Sequence, residues 1–499
     1  MLLLRYWSRS ATAPVVSGSL ARAQRPARAQ SAASDRHRAR EPELGSSVVS
    51  PLLRQGLVRI VVALNARYPV HRNRLLTVPS FFASWLATEA APVWLGWWGI
   101  RTVADLFGRR RRLGVADAVG VGLTGAAAGI LLREVLDGAR AGEQLRGALS
   151  GVVPASFLDA RPPCDRRGAV LPVLNGRKRR RKVRGLVYRE VDGHRLKLDV
   201  YEPLDPPSSG QRRPAIIQIH GGAWVVGSKD EQGVPLLNHL ASLGWVGFNI
   251  QYRLSPNAKF PSHLVDCKAA LAWVREHADE FGVDPEFIAV TGGSAGGHLC
   301  ALMALTENDP EFQPGFADAD TSVQAAVPFY GVYDLFDRGQ DQVDTFLRFI
   351  EQVVMGSHPE QDPEGWASYS PIDRIHGDAP PMMLLHGDSD VLVPVGGARR
   401  FASELSRAST NPVVYVELHG AQHAFEIFPS VRAVQTVEYV ERFLTWTHDV
   451  ALAGRELSHS DGPEPTESGD PSPATSHEPT MTGDGGRPRT GVVGAPNRN

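Results

Sequence analysis

The stretch FIAVTGGSAGGHLCALMAL, residues 287–305, decides the fold. Residues 287–291 are apolar or β-branched without interruption, the pattern of a strand buried on both faces. Residues 295–305 are rich in Ala, Leu and Met, which favour helix. Between them Gly292-Gly293-Ser294-Ala295-Gly296 fits G-x-S-x-G, and its small residues let the chain turn sharply from strand to helix. A serine on such a turn stands exposed at a helix N-terminus, where a nucleophile is wanted. A plain capping serine has the same local pattern, so the partners decide between the two.

Working outward, short β-rich runs occupy residues 215–219, 245–252, 323–329, 381–385 and 413–418, and amphipathic stretches such as 264–280 lie between them. Continuous apolar strands separated by helices predict an α/β class with a mostly parallel sheet covered on both faces. Ahead of it, residues 186–191 and 195–201 alternate around Asp192-Gly193 and predict a hairpin.

Three loops after predicted strands carry the partners. His220-Gly221-Gly222-Ala223-Trp224 follows 215–219, and adjacent glycines there let backbone N–H groups approach an oxyanion. The amides of Gly221, Gly222 and Ala295 form the expected oxyanion hole. His220 reads as a brace for that loop, since the hole depends on main chain. His386-Gly387-Asp388-Ser389-Asp390 follows 381–385, and Asp390, further into the turn, is favoured over Asp388 as the orienting carboxylate. In Gly420-Ala421-Gln422-His423-Ala424-Phe425, His423 is favoured as base over His419, which sits nearer its strand end. The chain order Ser294, Asp390, His423 is that of an α/β-hydrolase. A serine hydroxyl is a weak nucleophile until a histidine takes its proton, and the carboxylate fixes the imidazole tautomer. This chemistry needs no metal and no organic cofactor.

The rest of the chain has a different composition. The 499 residues hold 53 Lys+Arg and 54 Asp+Glu, a formal net charge of −1. Residues 1–185 carry 31 basic against 11 acidic residues, a net of +20, and the remainder 22 against 43, a net of −21. A hydrophobic fraction of 42% excludes a wholly disordered, collagen-like or coiled-coil chain. Three cysteines, Cys164, Cys267 and Cys300, make no disulfide framework and fit a reducing or indifferent compartment.

Residues 1–45 read as a disordered basic head. Residues 46–150 read as a helical apolar region with two stretches, 78–100 and 113–132, each near the roughly 20-residue span of a bilayer. The second holds Gly125 and Gly129 at the spacing that favours close helix contact in lipid. Glu89, Asp117, Pro79 and Pro92 argue instead for a soluble helical hairpin packed on the main domain. Arginines at 109–112 fall where a short cytoplasmic loop would carry positive charge. The basic run 177–184, in a linker 151–185, reads as solvated, with an anionic lipid headgroup as its candidate partner. Nucleic acid is not the expected partner, because no aromatic interleaving accompanies the charge. Location follows as membrane-associated or cell envelope, with the cytoplasm as the alternative. Residues 186–454 form the main domain, and the Pro- and Ser-rich tail 455–499 reads as disordered.

HGGAW at 220–224, YRLSP at 252–256, GGSAGGH at 292–298, HGDSDVLVP at 386–394 and GAQHAF at 420–425 together resemble the hormone-sensitive-lipase-like branch of the α/β-hydrolases. The likeness is to actinobacterial, notably mycobacterial, carboxylesterases and lipases, and covers residues 185–448. It implies an α/β-hydrolase fold and a Ser294, Asp390, His423 triad, with Gly221, Gly222 and Ala295 as oxyanion donors. It also implies hydrolysis of a small-molecule ester or lipid through an acyl-enzyme. Two departures stand out: Gly293 replaces an acidic residue before the serine, and Ser255-Pro256-Asn257 replaces the commoner Ala-Pro-Glu. Residues 334–370 would form part of a cap. There Phe336, Phe346, Phe349, Val353, Val354 and Trp366 either line an acyl pocket or serve as core. The same machinery serves an amidase of the arylformamidase type, and a non-catalytic receptor on this fold is the remaining alternative.

Overall fold

The computed structural model describes residues 50–159, 180–205 and 211–460, apart from 72, 74, 109–111 and 429. The basic head, most of the predicted linker with Cys164, residues 109–111 and the tail beyond 460 lie outside the described residues. The described residues up to Ala453 group into one compact unit, and those from Gly454 onward fall outside it. That unit contains the whole sheet and every residue of the candidate site.

Among the described residues, six helices come first: α1 (Pro51–Arg67), α2 (Thr77–Glu89), α3 (Ala91–Phe107), α4 (Val115–Ala139), α5 (Ala141–Leu149) and the short α6 (Ala155–Leu158). Eight strands and their helices follow in the order β1 (Arg180–Val191), β2 (His194–Pro203), β3 (Arg213–Ile219), α7 (Val234–Ala241), β4 (Val246–Ile250), α8 (Ser262–Glu276), α9 (Ala278–Phe281), β5 (Val283–Gly293), α10 (Ala295–Leu305) and β6 (Ala325–Phe329). The chain continues through α11 (Asp344–Phe349), a π-helical turn (Ile350–Met355), α12 (Pro363–Ser368), β7 (Met382–Gly387), α13 (Gly396–Ala408), β8 (Val413–Leu418) and α14 (Val431–Ser460).

One sheet runs in the order β1-β2-β4-β3-β5-β6-β7-β8. β1, β2 and β4 pair antiparallel, and every pair from β4–β3 to β7–β8 is parallel. The predicted hairpin turn has both Asp192 and Gly193 at positive φ, as a two-residue turn between twisted strands requires. Side-chain alternation splits the core. Ile217, Ile219 and Val290 face a cluster with Leu264, Leu299 and Phe401, whereas Ile216 and Ala289 face one with Leu145, Leu237 and Phe443. The predicted cap aromatics Phe349 and Trp366 are buried in the first cluster, with Phe336 and Phe346 packed against it.

Four expectations need correction. The apolar stretch 78–100 is not one span: the chain breaks at Ala90, and Pro92 opens α3, a position where its missing N–H costs nothing. A Cβ on Gly125 or Gly129 would meet no described atom within 4 Å; the close approach is between α1 and α4, where a Cβ on Gly120 would lie 2.3 Å from the Leu52 carbonyl. Part of the basic run read as a linker is strand, since Arg180 to Val183 pair with Pro203 to Val200. There Lys182 lies 2.8 Å from the buried carboxylate of Asp199. The tail predicted from 455 continues as helix to Ser460.

The N-terminal helices are fastened to the main domain by apolar packing. Leu145, Leu149 and Leu158 share a core with Ile216, Phe287 and Phe443. Burying each such side chain stabilises by about 1.5–3 kcal/mol. Within residues 46–150, α5 packs on the main domain through Leu145 and Leu149.

Candidate active site

Ser294 stands between β5 and α10 with φ 61° and ψ −120°, a strained turn that the surrounding glycines permit. A Cβ on Gly296 would lie 2.2 Å from the Ile219 carbonyl, so the turn and β3 can approach only through glycine. Ser294 N donates to Phe329 O at 3.0 Å, tying the turn to the end of β6. The first-turn amide of Ala295 has no intrahelical acceptor and is free in principle for a ligand.

The side chains of His423 and Asp390 are in contact. The imidazole Nδ1 lies 2.6 Å from Asp390 Oδ2, and both side chains are buried. The other oxygen of Asp390 accepts the amides of Leu392 at 2.9 Å and Val393 at 2.8 Å. Burial alone would push this carboxyl up, but the facing His423 and His386 hold it well below the usual carboxylate range. It therefore stays ionised beside the imidazole. The rival pair is elsewhere: Asp388 lies 2.6 Å from His419 Nδ1 and accepts the Gly420 amide at 2.8 Å. That pair braces the loop ahead of His423.

His220 is buried beside the glycine loop. Its Nδ1 lies 2.8 Å from the Gly221 carbonyl and its ring stacks on Tyr252 at 4.4 Å. Burial pushes its pKa down to about 4, so it is neutral near pH 7. Gly222 turns the loop at φ 118°, where a Cβ would strike the Val226 carbonyl at 2.0 Å. Gly221 departs from expectation. Its amide donates to Gln232 Oε1 at 2.6 Å, and a donor already spent on a side chain is not open to an oxyanion.

Four contributors carried no sequence signal as site residues. Gln422 Oε1 accepts both the His423 and the Val391 amides at 3.1 Å, so one side chain joins the base loop to the Asp390 turn. Tyr330 packs its ring 4.5 Å from that of His423, and its hydroxyl donates to the buried Glu426 carboxyl. Tyr330 also accounts for Gly293: a Cβ there would lie 2.7 Å from the tyrosine hydroxyl, leaving no room for an acidic side chain. Phe81 of α2 meets His423 edge-on, with ring centroids 6.1 Å apart. The fourth is Gln232, described above.

Among known proteins, the BD-FAE family profile matches residues 198–405. A probable carboxylic ester hydrolase, LipM of Mycobacterium tuberculosis, is 49% identical over 260 residues, covering 52% of this chain and 60% of the relative. Esterase LipQ of the same organism is 44% identical over 52% of this chain and 62% of the relative. Esterase LipC is 39% identical over 60% of this chain and 74% of the relative. The matched stretch thus spans less than two thirds of LipM and LipQ. A solved thermophilic esterase of Thermogutta terrifontis is 30% identical, with 57% of this chain and 94% of that one covered at a TM-score of 0.44.

Proposed function

The chain belongs to the family of these mycobacterial esterases, in the hormone-sensitive-lipase-like branch of the α/β-hydrolases, and we propose that it is a serine carboxylesterase or lipase acting on apolar carboxylic esters. The observation that carries this reading is the buried 2.6 Å contact between His423 and Asp390, in a chain whose Ser294 occupies a strand-to-helix elbow.

In this reading Ser294 Oγ attacks the ester carbonyl and its proton passes to His423 Nε2. Asp390 holds Nδ1–H and stabilises the imidazolium without taking the proton. The tetrahedral oxyanion takes hydrogen bonds from the amides of Gly222 and Ala295, each such donor being worth about 10²–10³ in rate. Gly221 contributes by holding the loop through Gln232. Collapse expels the alcohol, which receives its proton from His423, and water releases the acid by the same route. Ser294→Ala tests the assignment: p-nitrophenyl ester turnover falls by about 10⁶, and turnover that survives in the purified variant contradicts it.

Membrane contact belongs to the same proposal. Trp97, Ile100, Val103 and Phe107 recur at three- and four-residue spacing along α3, and all are exposed, Phe107 at 86%. Among the described residues, one helical segment, Val115–Leu149, contains an 18-residue window apolar enough to cross a membrane by length and composition, with a mean hydropathy of 1.8. An apolar face this broad, with arginines at 109–112 following it in the sequence, fits an anionic lipid surface.

A further inference from the structure

The contacts of α2 reach past simple docking, and their meaning rests on the esterase reading above. Phe81, Ser84, Trp85 and Glu89 lie at three- and four-residue spacing, hence on one face of the helix. That face grips the irregular loop between β8 and α14 at successive points. Phe81, 6% exposed, abuts the His423 ring and stacks on Trp85 with centroids 5.9 Å apart. Trp85 Nε1 donates to Ala424 O at 2.9 Å, and its ring stacks on Phe428 at 5.1 Å. Ser84 Oγ accepts from Gln422 Nε2 at 3.4 Å. At the end of the helix, the Glu89 carboxylate accepts from Ser430 and Arg432, both buried.

The gripped loop needs holding. Ala424 sits at φ 59°, a left-handed conformation that a non-glycine residue adopts only when its surroundings impose it. A base whose ring must meet both a carboxylate and a serine hydroxyl tolerates little rotation, since a displacement of about 1 Å can cost about 10²-fold in rate. The Asp390 contact fixes one end of the imidazole; Phe81 on one side and Tyr330 on another limit its tilt.

We infer that α2 is a positioning element for His423, with Phe81 and Trp85 as its acting residues, so that the N-terminal helices are part of the esterase's working site. Phe81 sets the ring's angle by contact, and Trp85 sets its height by holding the next carbonyl.

The test compares the full-length wild type with Phe81→Ala, Phe81→Leu and Trp85→Phe, using p-nitrophenyl butyrate and a fluorophosphonate probe. Phe81→Ala and Trp85→Phe are expected to lower kcat and the labelling rate about tenfold while KM stays within about twofold. Phe81→Leu, which refills the space, recovers most of the loss, and the thermal midpoints of Trp85→Phe and wild type agree within about 4 °C. Unchanged kcat in both Phe81→Ala and Trp85→Phe overturns the inference, as does a loss that matches the fall in folded protein. A folded wild type with neither turnover nor labelling overturns the esterase reading and this inference with it.

Discussion

Trp85 Nε1 donates to the carbonyl of Ala424 at 2.9 Å, joining α2 to the residue that follows His423 across 339 positions of sequence. The apolar N-terminal region is therefore not a detachable anchor ahead of a self-sufficient hydrolase. Its helices complete a core and hold a loop of the candidate site.

Truncation tests that packing. A chain begun at residue 160 lacks Leu145, Leu149 and Leu158, and uncovers Ile216, Phe287 and Phe443. Three leucines of this kind contribute about 5–9 kcal/mol, comparable to the whole stability of an ordinary domain. The truncated chain is expected to aggregate on size-exclusion chromatography and show no ester turnover. A monodisperse, active truncation would contradict it.

The two candidate carboxylates have different fates. Asp390→Asn leaves the geometry in place but allows the wrong imidazole tautomer, and kcat is expected to fall about 10⁴-fold. Asp388→Asn loosens the Asp388–His419 pair, one partner of which is half exposed, and kcat stays within about tenfold of wild type. Steady-state kinetics on one soluble ester separate them, and equal losses would refute the assignment.

These two aspartates also show how much could be read from sequence. The elbow, the three loops and the choice of Asp390 and His423 rest on local patterns: a strand, then a turn with small residues, then a polar group. Such patterns survive without tertiary knowledge. Phe81 and Trp85 gave no signal, because an apolar helix face looks the same whether it meets lipid, core or a histidine. The break at Ala90 was hidden for a related reason, since Pro92 within an apolar run fits both a kinked span and a new helix start. Gln232 was hidden because its partner is a backbone amide eleven residues away. Gly293 was legible as an oddity, and its cause became visible only with Tyr330 beside it.

Glu426 gives the stability a pH dependence. Burial pushes its carboxyl up from 4.5 to about 7, against the hydrogen bond from Tyr330. A carboxyl raised on folding stabilises below its unfolded pKa, and that contribution is lost as pH rises through about 7. The loss is at most about 3 kcal/mol between pH 4.5 and pH 8. Glu426→Gln cannot ionise, so its thermal midpoint should fall less than that of wild type over this range. Parallel pH profiles of the two midpoints would contradict the assignment.

Membrane contact has its own measurement. Trp97→Ser with Phe107→Ser removes two exposed aromatic rings from the open face of α3. Binding to phosphatidylglycerol vesicles in a flotation assay should weaken by at least about tenfold. Undiminished flotation would remove α3 from the lipid-facing surface.

The most direct measurement on the central claim is mass spectrometry of the full-length protein after reaction with a fluorophosphonate. One adduct per chain is predicted, mapped to the peptide carrying Ser294 and absent from Ser294→Ala. An adduct on another serine that disappears together with ester turnover, while Ser294 stays unmodified, would contradict the account.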